Sequence, residues 1–284
     1  MKRRDFIQKT AASTAFLTLG GLSLSSFSNT DVKRITILHT NDTHSHIDPF
    51  AADHSKYPNK GGAARRASFV NKMRNENPNL LLLDAGDMFQ GTPYFNYYGG
   101  ELEFKIMNMM KYDAAAIGNH EFDNGVAGLA AQAPIAEFDI INANYDFKNT
   151  VMNGFTKPYE IYIKDGIKIG VFGLGVKLDG LVNKKEYGET VYLDPIEVAQ
   201  DMTRILKEEQ KCDLVICLSH LGYEYNKKVN PEMISDLDLA SKTKNIDLII
   251  GGHTHTFLEK PVIVKNLEQQ EVIVNQAGCF GLRV

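Results

Sequence analysis

Ala114-Ala115-Ala116-Ile117-Gly118-Asn119-His120-Glu121-Phe122-Asp123 decides how this chain is organised. A short apolar run bounded by a glycine predicts a buried strand. The Asn, His, Glu and Asp that follow then fall at that strand's C-terminal end. Working outward, the same arrangement recurs four times. Residues 35–38 lead into Asn41-Asp42-Thr43-His44, and residues 80–83 into Asp84-Ala85-Gly86-Asp87. Residues 214–218 lead into Ser219-His220, and residues 247–250 into Gly251-Gly252-His253-Thr254-His255. Further strands are expected over 138–141, 167–172 and 272–274. Helical patterning covers 62–75, 126–131, 195–210 and 101–111, the last with Leu102, Ile106, Met109 and Met110 on one face. Strands alternating with helices predict a layered α/β fold. In open α/β sheets the C-terminal strand ends form the ligand-binding edge.

Composition bounds the remaining choices. The chain has 284 residues, 43% hydrophobic and 23% charged, with 3 Cys and no Trp. That supports a sizeable core and excludes disorder, collagen and coiled coil. Residues 1–28 have the build of an export signal. The basic start Met1-Lys2-Arg3-Arg4-Asp5-Phe6-Ile7-Gln8-Lys9 precedes an uncharged stretch rich in Ser and Thr. The Arg3-Arg4 pair is similar to a twin-arginine signal, which predicts a periplasmic protein with no stable membrane anchor. Cleavage after Ser28 removes four basic side chains and one acidic one, taking the net charge from -4 to about -7. No nucleic-acid polymer is therefore expected as a partner. With a strand over 213–218, Cys212 just before it and Cys217 within it lie roughly 16 Å apart at ~3.3 Å per residue. They are too distant for a disulfide.

The strand-end side chains are two Asp, one Asn and four or five His, without Cys. That oxygen and nitrogen set suits Zn, Mn, Fe or Co. It holds more donors than one tetrahedral ion with an open position needs, and two divalent ions sharing a carboxylate account for it. Two such ions outweigh two carboxylates, so the site is locally cationic within an acidic chain and suited to a phosphate ester.

The ordered set resembles the metallophosphoesterase (calcineurin-like) superfamily. Leu38-His39-Thr40-Asn41-Asp42 and Gly86-Asp87-Met88-Phe89-Gln90-Gly91 are similar to the N-terminal domain of periplasmic 5'-nucleotidases and 2',3'-cyclic phosphodiesterases, as is Gly118–Asp123. The resemblance implies a four-layer α/β/β/α sandwich over residues 29–284, with a dinuclear site. It implies that Asp42, His44 and His255 hold one ion, that Asp87 bridges, and that Asn119, His220 and His253 hold the other. His120 would protonate the leaving oxygen, oriented by Asp123. Some relatives carry Gln at the position of His255. The C-terminal nucleotide-specificity domain of the two-domain nucleotidases has no counterpart before Val284, and a strand is expected to begin near Gly281. The expected activity is hydrolysis of nucleotides or related phosphate esters. Hydrolysis of a cyclic nucleotide or sulfur ester, dependence on a separate specificity chain, and a non-catalytic binding role are the alternatives.

Other features carry blander expectations. His39 and His46 fit either site support or an ordinary loop, and His54 fits the surface. Gly170 to Gly175 fits a strand-ending turn better than a phosphate loop. Arg65 and Arg66 fit a solvated helix face. Tyr94, Phe95, Tyr97 and Tyr98 fit core packing, with a pocket wall as the alternative.

Overall fold

The run Leu80-Leu81-Leu82-Leu83 shows how the layers form. In the computed structural model, which describes residues 32–284, these four leucines are fully buried and point alternately to opposite faces. Leu80 and Leu82 join one apolar cluster, while Leu81 and Leu83 join another. A strand apolar on both faces needs cover on both sides. The expected export signal, residues 1–28, lies outside the described residues.

Two main sheets supply that cover. The first is β1 (Thr36–Thr40), β2 (Leu80–Asp84), β3 (Ala114–Ala116) and β4 (Asp139–Ile141), parallel and in that order. A two-stranded ribbon pairs β5 (Tyr145–Asp146) with β8 (Val191–Tyr192). The second main sheet contains β6 (Tyr159–Lys164), β7 (Ile167–Leu174), β9 (Leu214–Ser219), β10 (Leu248–Gly251), β11 (Val262–Lys265) and β12 (Glu271–Gln276). Its order is β11-β12-β10-β9-β7-β6, with the two edge strands antiparallel to their neighbours. Leu81, Leu83, Ala114, Ala116 and Ile141 of the first sheet pack on Ile169, Val171, Ile216, Leu218 and Ile250 of the second.

Helices cover the outer faces. On the first sheet lie α1 (Ala63–Glu76), α2 (Pro93–Tyr98), α3 (Glu101–Met110) and α4 (Gly125–Gln132). Next in the chain is the short α5 (Lys184–Tyr187), and then α6 (Pro195–Arg204) and α7 (Asp236–Lys242) cover the second sheet. The result is the expected four-layer α/β/β/α sandwich. Among the described residues, no helix is long and apolar enough to cross a membrane.

Several expectations need correction. The helix expected over 195–210 is α-helical only to Arg204 and continues as a π-helical turn over Ile205–Glu209. The buried face of α3 is Glu103, Phe104, Met107 and Met110, and Met109 is 81% exposed. Arg66 is buried rather than solvated, although Arg65 is exposed as expected. Gly170 and Gly173 lie within β7 rather than in a turn after it. Around Gly281 the chain turns, with Phe280 at φ 62° and Gly281 at φ 60°, and no strand begins there. The three cysteines are buried and free.

Candidate active site

Five strands deliver the candidate residues to one edge. Register aligns Thr40 with Asp84 in the first sheet, and Gly251 with Ser219 in the second. The segments beyond these residues therefore leave the sandwich at one level. Asp42, Asp87, Asn119 and His120 follow β1, β2 and β3, while His220, His253 and His255 follow β9 and β10. The turns after these strands are tight. Asp42, His44, Asp87, His253 and His255 all have positive φ between 46° and 67°, an uncommon conformation for non-glycine residues. Close packing also demands Gly118: a Cβ there would lie 2.2 Å from Asp87 Oδ1 and 2.7 Å from His220 Nε2.

Hydrogen bonds fix which atoms face inward. The Nδ1 of His44 lies 3.2 Å from the Phe89 carbonyl, and that of His220 lies 2.7 Å from the Ala85 carbonyl. A carbonyl only accepts, so both rings carry their proton on Nδ1 and turn Nε2 into the site. His44 Nε2 lies 2.9 Å from His255 Nε2, which is 3.3 Å from Asp42 Oδ1. His220 Nε2 faces Asp87 Oδ2 at 3.0 Å, buried and without an aligned hydrogen-bond partner among the described residues. His253 Nδ1 lies 2.8 Å from Asn119 Oδ1, and the His253 backbone N–H donates to the Asp42 carboxylate at 3.0 Å.

Two donor groups result. Asp42, His44 and His255 form one, and Asp87, His220 and His253 the other; within each, the donor atoms lie within 4.8 Å of one another. The unpartnered His220 Nε2 and the facing imidazole nitrogens fit a cation, and a set of carboxylates and imidazoles without thiolate fits borderline divalent ions. The electrostatics agree. Burial pulls the His220 pKa down, but the Asp87 carboxylate overrides it and raises it to about 10. Contact with the Asp42 carboxylate and the Cys279 thiol raises His255 to about 10. Burial, with the neighbouring His220 charge, lowers His253 to about 4.

His120 stands apart from both groups. Its backbone N–H donates to Asp87 Oδ1 at 2.8 Å, which fixes the residue beside the centre. Its ring meets that of His44 edge-on at 5.2 Å. Nδ1 lies 2.9 Å from Asp123 Oδ2, and about a third of the side chain is exposed. Burial lowers its pKa, but the Asp123 hydrogen bond and the Asp87 charge leave it raised overall. An imidazole with one nitrogen held by a carboxylate and the other near solvent is equipped to deliver a proton.

Glu121 is a residue that sequence reasoning passed over. Its buried carboxylate accepts four backbone N–H bonds, at 2.7–3.1 Å: Oε2 from Asp87 and Gly118, Oε1 from Met88 and Phe89. It therefore clamps the turn carrying Asp87 to the turn carrying Asn119 and His120. Its place inside Gly118–Asp123 was the available signal. Phe280 was also missed. Its ring lies 6.0 Å from His44, 5.7 Å from His255 and 4.3 Å from His46, and its N–H donates to the Asp42 carbonyl.

The neighbouring histidines behave more quietly. His39 is buried, with Nε2 3.0 Å from Asn275 Nδ2 across the two sheets. His46 packs on Phe50 and Phe280. His54, expected at the surface, is half-buried between Phe50 and Tyr57. Of the aromatic cluster, Phe95 is core and packs on Phe89, while Tyr97 is 84% exposed.

A four-layer sandwich with two adjoining cation-binding groups at its strand ends defines a dinuclear metallohydrolase architecture. The chain belongs to the calcineurin-like phosphoesterase family, whose model matches residues 35–257 and whose members use two divalent metal ions. The trifunctional nucleotide phosphoesterase of Bacillus subtilis is 36% identical over 279 residues, covering 87% of this chain and 17% of that protein. Human 5'-nucleotidase is 35% identical over 270 residues, covering 87% of this chain and 45% of that protein. The crystal structure of a 5'-nucleotidase precursor from Thermus thermophilus superposes with a TM-score of 0.77 at 34% identity, covering 87% of this chain and 49% of that one. This chain thus spans less than half the length of each of these relatives.

Proposed function

We propose that this chain hydrolyses phosphate monoesters, with nucleotides as the substrate class, using two divalent ions. The observation that carries this reading is the convergence of the two donor groups beside the His120–Asp123 pair. Asp42, His44 and His255 would hold one ion. Asn119, His220 and His253 would hold the other, with Asp87 between them. Ions held there would neutralise phosphoryl oxygens and make water acidic enough to attack at neutral pH.

The chain's own groups do the rest. Glu121 keeps Asp87 and His120 in fixed relation through the four amides it binds. Asp123 accepts a hydrogen bond from His120 Nδ1–H, which keeps the ring oriented and favours imidazolium. His120 then donates from Nε2 to the oxygen of the departing alcohol, the role its exposure and raised pKa support. Nucleotides are favoured as substrates because the relatives named above carry nucleotide-hydrolysing names at about 35% identity.

The test is hydrolysis by purified protein loaded with Mn2+, Zn2+ or Co2+, across AMP, a cyclic nucleotide, simple sugar phosphates and a thiosulfate ester. Release of phosphate from AMP is expected. Turnover of the sulfur ester alone would sink the phosphoesterase reading. Residues 1–28 are proposed to act as a twin-arginine signal. Fused to a reporter, they should direct it to the periplasm, and Arg3→Lys with Arg4→Lys should retain it in the cytoplasm. A requirement for a separate specificity chain would show as activity restored only by a co-purifying partner.

A further inference from the structure

The turn that carries His44 is backed by a small, partly open cavity of about 20 Å3, lined among others by Ser45, Arg66, Met88, Glu103 and Met107. Two of its polar walls are buried and incompletely paired. Glu103, 5% exposed, accepts from Ser45 Oγ at 2.5 Å through Oε1, while Oε2 has no partner among the described residues. Arg66, 9% exposed, likewise leaves Nε–H without an acceptor. Its guanidinium lies close against the turn at Gly281, where a Cβ would come within 2.1 Å of Nη1. Both residues line this space, and a buried carboxylate oxygen and a buried guanidinium N–H each carry a large desolvation cost unless something pairs with them. The volume admits one water molecule, and such a site needs two or more polar partners. A water between them would accept from Arg66 Nε–H and donate to Glu103 Oε2, satisfying both groups.

We propose that this cavity holds one buried water, and that the chain Ser45–Glu103–water–Arg66 is a positioning device for His44. His44 and Ser45 occupy left-handed backbone at φ 46° and 54°, a conformation that persists only when its surroundings enforce it. Backbone contacts hold part of it: His44 N–H donates to the Asp87 carbonyl at 3.1 Å, Ser45 N–H to the Met88 carbonyl at 3.0 Å, and Ile47 N–H and Thr92 Oγ1 to the Ser45 carbonyl at 2.8 and 2.9 Å. The Ser45 side chain adds its own, lying 2.9 Å from Thr92 Oγ1 and donating to Glu103. Glu103 touches neither substrate nor donor atoms. It acts through Ser45, one residue from His44, and Arg66 with the water holds its second oxygen so that the carboxylate cannot rotate away. A glutamate in the first turn of α3 would ordinarily stay in solvent and serve the helix dipole. The inward turn of this one is explained by the relay.

The inference rests on His44 being part of an ion-holding group, so the test separates the two ideas. A high-resolution crystal structure of the wild-type chain should show a single ordered water within hydrogen-bonding distance of Glu103 Oε2 and Arg66 Nε. An empty cavity, or a direct Arg66–Glu103 pair, would overturn the proposal. Mn2+ titrated into metal-free protein and followed by electron paramagnetic resonance should give two bound ions. Glu103→Met should weaken one of them about tenfold or more and leave the other unchanged, the scale seen when groups supporting a ligand are removed. Ser45→Ala should weaken the same ion, and the two changes together should be no worse than either alone. Glu103→Gln, which can still accept from Ser45 and reach the water, should restore near-wild-type affinity, and Lys105→Ala on the exposed side of α3 should have no effect. Equal affinity in Glu103→Met and wild type would overturn the positioning role. Wild type that fails to bind two ions would instead count against the dinuclear reading, and the crystallographic water would then decide the cavity by itself.

Discussion

In the proposed mechanism Asp123 sets how readily His120 can donate. Burial opposes the charge, but the carboxylate and the nearby Asp87 outweigh it, so the folded pKa of His120 lies above its ordinary value and imidazolium persists to higher pH than in a free side chain. Activity that depends on this proton should fall as pH rises through that raised pKa. Asp123→Asn should shift the alkaline limb of the kcat profile to lower pH, because the charge that raised the pKa is gone. An unmoved limb would remove His120 from the acid role. His120→Asn should lower kcat by roughly 10²–10⁴-fold while bound metal, measured by elemental analysis, stays at wild-type stoichiometry. Glu121 makes a different prediction. In Glu121→Gln one oxygen becomes an NH2 group facing two buried amide N–H donors, and each lost acceptor costs about 1–3 kcal/mol. Urea unfolding should show a loss of at least about 2 kcal/mol, with weakened metal binding alongside. The six residues of the two candidate donor groups were legible in the sequence because donor chemistry is written in residue type. Glu121 and Phe280 were not, since most of their partners are backbone groups and rings tens to hundreds of positions away.

At the scale of elements, legibility followed burial. The strands β2, β3, β9 and β10 lie inside their sheets and are continuous apolar runs, so the pattern marks them. The strands β6 and β11 are the two edges of the second sheet, only partly buried and carrying Glu160, Lys164 and Lys265. Edge strands are protected by charge, and that charge hides them from an apolar-run criterion. The face of α3 was misjudged for a related reason. Glu103 is buried by a pairing with Ser45 from a remote turn, which helical periodicity cannot express. Among the helices, α7 has the most explicit start. Ser235 and Asp238 form a capping box, and the Asp238 carboxylate also accepts from Lys227 at 2.5 Å and Lys242 at 2.9 Å. Partial burial opposes its charge, but the two lysines and Ser235 outweigh that and hold its pKa well below the usual carboxylate range. A depressed folded pKa contributes stability above the unfolded value, about 3.9, and loses it as pH falls toward the folded one. Asp238→Asn should therefore cost about 1 kcal/mol at neutral pH and show a shallower loss of stability below pH 4. Parallel acid-denaturation curves for the two proteins would contradict this.

At the scale of the whole molecule, ligand linkage gives the simplest measurement. An ion that binds only the folded state adds about 2.7 kcal/mol at one hundred times its Kd. For a domain of this size each kcal/mol raises Tm by about 2–4 °C. Saturating Mn2+ should thus raise Tm by at least about 5 °C over metal-free protein, and a chelator should reverse it. The same Tm with and without metal would argue against a cation centre in the folded chain. The membership of the two donor groups adds something more. Each takes side chains from both sheets: Asp42 and His44 with His255, and Asp87 with His220 and His253. Bound ions would act as rivets through the sandwich, since the layers could not part without breaking coordination to every ion. The inner strands should then exchange their amide hydrogens only after metal release, and the rate of metal loss would set the clock for opening the interface between the two sheets.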